Sequence, residues 1–169
     1  MNTEDLKSQL SSKLLLGLIL LSFISNSNAQ STTATLTISA HIQELISISI
    51  TPIGNYSNLN VNSTQIDVPV ATIYESSNSS NGYLIKARSV NNGKIQNTAS
   101  TDNIPYMLRY GNGGAVQLTS NDQIMREQNI GGTYNAVNKD VTISFQGIPA
   151  TNLKSGAYND VITFTIESK

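Results

Sequence analysis

Alternating apolar residues are the feature of this sequence that most constrains its fold. In residues 33–42, TATLTISAHI, apolar side chains occupy one parity and polar side chains occupy the other. The same alternation returns in LISISI, residues 45–50, so these two segments are predicted to be two strands or one long strand bent at Glu44. It appears again in VITFTI, residues 161–166. A repeat of two is that of a strand with one buried face, whereas a helix repeats about every 3.6 residues. The pattern therefore predicts a chain built mainly from strands.

Turn-forming residues separate the alternating segments. Asn-Gly pairs at 81–82 and 92–93 flank YLIKARSV, residues 83–90. Asn and Gly tolerate the positive φ of a tight reversal, so this spacing predicts antiparallel hairpins. Further strands are predicted in QIDVPVATIYE, IPYMLRY, AVQLT and KDVTISFQG, with a short one at 59–61. Pro69 cannot donate to a strand ladder, so its strand is expected at a sheet edge or with a bulge.

The rest of the chain offers no amphipathic helix of useful length. Residues 120–138 are weakly patterned and are predicted to form a long loop, with at most one helical turn at 123–128. Seven to nine short strands with polar turns indicate an all-β fold, an antiparallel immunoglobulin-like β-sandwich.

The N-terminal segment has the organisation of a cleaved signal peptide. Lys7 and Lys13 precede an apolar run at 14–24, and Ser27 and Ala29 supply the small residues that a leader peptidase requires. The run is shorter than the roughly 20 residues that span a bilayer, although an uncleaved anchor is the alternative. We therefore expect a secreted, cell-surface or periplasmic protein that meets the membrane only through its leader.

This interpretation divides the chain into three parts. They are a signal peptide at 1–29, an N-terminal alternating segment at 30–43 and a sandwich domain at 44–169. The sequence contains no cysteine, although an exported chain could form disulfides. Stability must then come from packing, strand pairing or a partner. The net charge of −1 and the absence of a basic patch exclude a nucleic-acid partner.

Candidate catalytic residues are few. The single histidine, His41, lies on the polar face of the first alternating segment, where it is expected to be solvated instead of serving a Ser-His-Asp set. Asp102 and Asp122 lie in turns, where carboxylates usually bind backbone amides. They could alternatively form a glycosidase pair or contribute to a calcium loop. We expect no enzyme activity, no metal and no cofactor.

Two features remain after these exclusions. A glycine, a tyrosine and an aspartate precede the last alternating strand, where the tyrosine could form a sandwich corner. This C-terminal motif and its strand comprise Gly156, Tyr158, Asp160, Ile162, Phe164 and Ile166. The other feature is the N-terminal segment, which could pair within its own chain or complete the sheet of a neighbour by strand addition. Its apolar face consists of Ala34, Leu36, Ile38, Ala40 and Ile42.

Together these termini resemble those of the bacterial spore coat protein U and archaic chaperone-usher pilin group. In that group a leader and a donor segment precede a β-sandwich, and a Gly-x-Tyr-x-Asp motif runs into the final strand. The resemblance implies assembly of like subunits by strand exchange, with a periplasmic chaperone and an outer-membrane usher as partners. It also implies a role in fimbriae or surface coats, and so in cell adhesion and biofilms.

Three hypotheses follow from the sequence. The first is an exported, non-enzymatic structural subunit of a fimbrial or surface-coat assembly that polymerises by β-strand exchange. The second is a monomeric secreted or periplasmic binding module for a carbohydrate or protein, with Tyr106, Tyr110 and Tyr134 as a contact surface beside the predicted loop at 120–138. The third is a glycosidase that uses Asp102 and Asp122.

Overall fold

The computed structural model describes residues 30–54 and 56–169. Within them the chain forms nine strands, no α-helix and one short 3-10 turn at Ala150–Asn152. This confirms the predicted all-β sandwich. The strands are β1 (Ile46–Pro52), β2 (Gln65–Ser77), β3 (Tyr83–Ser89), β4 (Lys94–Asn97), β5 (Asn103–Tyr110), β6 (Gln123–Gln128), β7 (Tyr134–Phe145), β8 (Tyr158–Asn159) and β9 (Ile162–Ser168).

The strands form two antiparallel sheets. The larger has the order β1-β2-β7-β5-β4-β8, and the smaller has the order β6-β3-β9. The long strands β2 and β7 lie inside the larger sheet, and β3 is the central strand of the smaller one. The last part of the chain contributes to both sheets, because β8 pairs with β4 and β9 pairs with β3.

The core lies between the sheets and is built from the alternation seen in the sequence. In β3, Tyr83, Ile85 and Ala87 are all fully buried, and the side chains between them are more exposed. The facing sheet contributes Ile73 from β2 and Leu108 from β5, which are also fully buried. Each strand therefore places every second side chain in one shared apolar layer.

The predicted N-terminal strand is absent. Residues 33–42 carry no strand, and the first strand begins only at Ile46. Of the described residues, those from 42 onward form one compact unit, and residues 30–41 do not belong to it. Alternation describes which side chains a strand would bury, but a strand also needs hydrogen-bonding neighbours. In the described part of the chain, residues 33–42 have none.

Pro69 lies at a bulge, as one of the two alternatives predicted. The register between β2 and β7 shifts between Pro69 and Ala71. The edge alternative is wrong, because β2 lies between β1 and β7. The bulge interrupts the ladder with β7, and β1 pairs with β2 only from Ala71 onward, so the missing N–H of Pro69 is tolerated.

The prediction of a long loop at 120–138 is wrong, because this region contains β6 and the start of β7. Residues 123–128 form a strand and not a helical turn. The predicted strand at 59–61 is also absent, although Leu59 and Val61 pack against the core. The AVQLT segment contributes only a single bridge from Val116 to Leu108. Strand β4 had no counterpart in the sequence prediction.

Candidate functional site: a groove between two edge strands

Two edge strands flank the candidate site. Strand β1 pairs only with β2, and β9 pairs only with β3. Each therefore has one side of its backbone without a strand neighbour in the part of the chain that the structure describes. Such an edge presents a row of N–H and C=O groups that can accept a further strand.

The two edge strands run in opposite directions. Ile46, at the start of β1, lies opposite Ser77, and Ser168, at the end of β9, lies opposite Tyr83. Ser77 and Tyr83 are joined by a short connection, which places both ends at the same end of the sandwich. A strand inserted between β1 and β9 would therefore run antiparallel to one of them and parallel to the other.

A groove of about 710 Å³ opens beside the end of β1 and the start of β9. Ile50 of β1 lines one wall, and Ile162 and Phe164 of β9 line the other. Core side chains of the larger sheet, including Val141 and Ile143, form its base. The groove is therefore an opening into the apolar interior of the sandwich.

The walls of the groove are less completely buried than the rest of the core. Ile50 is 53% exposed, although it belongs to the inward parity of β1. Ile162, Phe164 and Ile166 of β9 are only partly buried, whereas the equivalent positions of the neighbouring β3 are fully buried. Incompletely buried apolar side chains along two unpaired edges are typical of a surface that receives a partner.

The C-terminal motif closes one end of the groove. Asp160 accepts hydrogen bonds from the Tyr106 hydroxyl at 2.6 Å, the Ser89 hydroxyl at 2.6 Å, the Asn91 amide at 3.0 Å and the Val161 amide at 2.8 Å. These bonds fix the point where the chain passes from β8 to β9. Asp160 thus anchors the wall that carries Ile162, Phe164 and Ile166.

Tyr158 and Gly156, the other two motif residues, shape the chain that leads to Asp160. Tyr158 donates its hydroxyl to the carbonyl oxygen of Lys154 at 2.8 Å, which ties back the preceding loop. Gly156 has φ +148°, and a Cβ there would lie 3.0 Å from Nδ2 of Asn97. Glycine is favoured here because the backbone conformation and the close Asn97 side chain both disfavour a larger residue.

A buried polar cluster that the sequence did not indicate joins the two sheets. The side chain of Glu75 is fully buried and accepts hydrogen bonds from the Tyr83 hydroxyl at 2.7 Å and the Tyr110 hydroxyl at 2.5 Å. It also pairs with Arg126, whose guanidinium carbon lies 5.6 Å from the centre of the Tyr83 ring. The only signal in the sequence is that Glu75 has the same parity as Ile73, which placed it on the inward face.

Burial shifts the acidity of the tyrosines in these clusters. Desolvation, with the adjacent Glu75 carboxylate, raises the pKa of Tyr83 from 10.0 to about 12. The same two causes raise the pKa of Tyr110. Desolvation and the Asp160 carboxylate raise the pKa of Tyr106. All three hydroxyls are therefore held as neutral hydrogen-bond donors.

We expect the protein to lose stability above pH 10. An unfolded Tyr83 releases its proton near 10.0, whereas the folded pKa is about 12. Between these values the unfolded state binds fewer protons, so the free energy of unfolding falls as the pH rises. Denaturant titrations across this range should show the fall, with a shallower slope for Tyr83→Phe. A free energy of unfolding that stays constant across the window would contradict this expectation.

The remaining sequence candidates do not form a site. His41 is exposed. Oδ2 of Asp102 accepts a hydrogen bond from the main-chain amide of Lys154 at 2.7 Å, and Oδ1 of Asp122 lies 3.9 Å from Nε of Arg88. The two carboxylates therefore contact different residues. Across residues 30–54 and 56–169, no three His, Cys, Asp or Glu side chains are placed to hold a metal ion.

The proposed tyrosine contact surface is not formed. Tyr106 and Tyr110 are only 3% and 2% exposed, so they cannot contact a ligand at the surface. Tyr134 is half-buried; its hydroxyl accepts a bond from Gln128 and donates to the carbonyl oxygen of Ile130. Tyr134 also packs edge-on against Tyr83, with ring centres 5.5 Å apart. These tyrosines are structural.

The N-terminal segment exposes the apolar face that the sequence identified. Leu36, Ile38 and Ile42 are 84%, 87% and 84% exposed, and Ala34 and Ala40 are exposed as well. The predicted signal peptide, residues 1–29, lies outside the described residues. Residues 30–54 and 56–169 contain no helix that could span a bilayer.

Comparison with known proteins leaves the family open. Neither a scan against protein-family models nor a search of curated proteins finds a match to this chain.

Proposed function

We propose that this protein is an exported structural subunit that polymerises by β-strand exchange. The N-terminal segment of one copy, residues 34–42, inserts between β1 and β9 of the next copy. The observation that carries the proposal is the groove of about 710 Å³ between two unpaired edges, together with an exposed segment of matching pattern in the same chain.

The segment is long enough to pair with either wall strand, and its pattern matches the groove. It contains nine residues, and the strands that form the walls, β1 and β9, contain seven each. Its alternation directs one apolar face inward and one face of Thr, Ser and His outward. Inserted as a strand, it would satisfy the two unpaired edges with main-chain bonds and cover the apolar base with side chains.

Burial of the apolar side chains of the segment supplies the driving force for assembly. Leu36, Ile38 and Ile42 are almost fully exposed, and burying each would contribute about 1.5 to 3 kcal/mol. Part of this gain offsets the ordering of the segment. Because the donor and the acceptor are different surfaces of one chain, the contact is heterologous and can extend into a fibre.

The proposal has consequences for partners and location. A subunit with an open groove is an aggregation hazard before it assembles, because its edge strands are unpaired and the apolar walls of the groove are only partly buried. A periplasmic chaperone that covers the groove, and an outer-membrane usher that exchanges it for the next subunit, would meet this need. The product would be a fimbrial or coat-like assembly at the cell surface, with adhesion or biofilm formation as its role.

The test compares the mature chain, residues 30–169, with a variant that lacks residues 30–41. The variant should keep the strand content of the parent by circular dichroism but remain a monomer by light scattering, whereas the parent should form oligomers. Adding a synthetic peptide of residues 30–43 should raise the melting temperature of the variant, because the peptide fills its groove. A peptide with Leu36 and Ile38 replaced by Asp is the matched control.

The proposal fails if the deletion leaves oligomer size unchanged. It also fails if the peptide does not stabilise the variant. The second result would favour a monomeric binding module.

A further inference from the structure

Asn78 binds the residues that connect the N-terminal segment to β1. It lies just after β2, and its Nδ2 donates to the carbonyl oxygen of Gln43 at 3.0 Å. Its Oδ1 accepts the amide of Leu45 at 2.6 Å, and its own amide donates to the carbonyl oxygen of Leu45 at 3.0 Å. One residue thus holds residues 43–45 at three points.

The connection matters because the groove has a potential occupant within its own chain. The segment at 34–42 is separated from β1 by residues 43–45 alone. A reversal there would form a β-hairpin and lay the segment along the unpaired edge of β1. Short loops close at little entropic cost, and tethering gives the segment a high effective concentration. Insertion of the segment into the groove of its own chain would therefore compete strongly with insertion of the segment from a second copy.

Two observations oppose this reversal. A hairpin turn at residues 43–45 would have to break the bonds that Asn78 makes to Gln43 and Leu45. The sequence Gln43-Glu44-Leu45 also lacks the Gly, Asn, Asp and Pro residues that tight turns prefer.

The direction of the strands adds a third obstacle. A hairpin partner of β1 must run antiparallel to β1, and it would then run parallel to β9. A segment from another molecule has no such constraint, so it can extend the β3-β9 ladder in the antiparallel arrangement that already characterises both sheets.

We propose that Asn78 is a positioning residue that keeps the N-terminal segment out of the groove of its own subunit, so that a second copy of the chain becomes the occupant. The inference rests on the proposed function, because it concerns what fills the same groove. Asn78 acts on assembly through the main chain of Gln43 and Leu45 and does not itself line the groove.

The experiment compares the mature chain with Asn78→Ala. Removal of the side chain deletes two of the three bonds, and we expect the ratio of monomer to oligomer to rise on the order of tenfold. Hydrogen exchange of the isolated monomers is the decisive measurement. Amides 34–42 should be protected in the variant monomer, where the segment fills its own groove, and unprotected in the parent monomer.

Asn138→Ala is the matched control. Asn138 is exposed on β7, and its side chain makes no hydrogen bond within residues 30–54 and 56–169, so this variant should behave as the parent. A second variant, Gln43→Asn with Glu44→Gly, keeps Asn78 and introduces an Asn-Gly turn. It should shift the equilibrium in the same direction, and it serves as the test if Asn78→Ala does not fold.

The outcomes separate this inference from the proposed function. If the parent assembles and both variants assemble equally well with unprotected monomers, the positioning role of Asn78 is overturned while strand exchange stands. If the peptide of residues 30–43 fails to stabilise the truncated chain, the groove is not the acceptor and both ideas fall.

Discussion

Ile38→Asp should abolish assembly of the mature chain, whereas Thr37→Asp should leave it close to that of the parent. Both substitutions introduce the same charge into adjacent residues of the N-terminal segment. The parity of the segment places Ile38 on the face that enters the groove and Thr37 on the face that remains in solvent. The comparison therefore tests which face of the segment enters the groove, in addition to whether the segment takes part in assembly.

The expected difference is large because the base of the groove is apolar. Moving a carboxylate from water into such a site, without a partner, costs several kcal/mol, and the burial of isoleucine is lost as well. A total of about 4 kcal/mol corresponds to roughly a thousandfold weaker association. Light scattering over a range of protein concentrations would measure this shift.

Equal effects of the two substitutions would contradict the proposed orientation of the segment in the groove. If Thr37→Asp blocked assembly as strongly as Ile38→Asp, the segment would be acting through its overall charge, and an alternating strand in the groove would be the wrong description. Circular dichroism should show an unchanged sandwich for both variants, because residues 37 and 38 lie outside all nine strands.

Glu75→Ala should lower the free energy of unfolding by about 3–5 kcal/mol, the range measured when one partner of a buried ion pair is removed. Glu75 is fully buried and satisfies Arg126 and the hydroxyls of Tyr83 and Tyr110. Its removal leaves the guanidinium and two buried hydroxyls without their acceptor. Because these groups lie on strands of both sheets, the damage would weaken the packing of one sheet on the other.

Glu127→Ala is the control for this prediction. Glu127 also belongs to an ion pair, with Lys169, but its side chain is 47% exposed. Exposed pairs contribute about 0–1 kcal/mol, so this variant should unfold almost as the parent does. Urea denaturation of the three proteins would give the comparison. If Glu75→Ala cost no more than Glu127→Ala, the buried cluster would not stabilise the sandwich as inferred.

Much of the fold was predictable because strand patterns are local. Alternation and the Asn-Gly turns placed β3 near its observed bounds. The last alternating segment was also predicted, although the structure divides it into β8 and β9, which belong to different sheets. Strand β6 was missed because Met125 and Arg126 are both partly buried, which breaks the alternation at the bulge opposite Ile85 and Lys86. That strand is defined by its pairing with β3, a contact between distant parts of the chain.

The candidate site also combines features that are visible in the sequence with features that depend on distant contacts. The apolar row at 34–42 and the Gly156, Tyr158 and Asp160 motif are visible in the sequence, because each is a short run with its own pattern. Their relation to the groove is not visible. The groove exists because β1 lies at the edge of one sheet and β9 at the edge of the other.

The sequence by itself determined that this chain forms strands, where most of them turn, and which parity of each faces the core, because these properties depend on neighbouring residues. Only the tertiary structure decided which strands pair, which edges remain open, and that Glu75 and Asn78 contact Tyr110 and Leu45, which are distant in the chain. Hydrogen bonds between strands carry no local sequence signal, since every residue but proline offers the same main-chain groups.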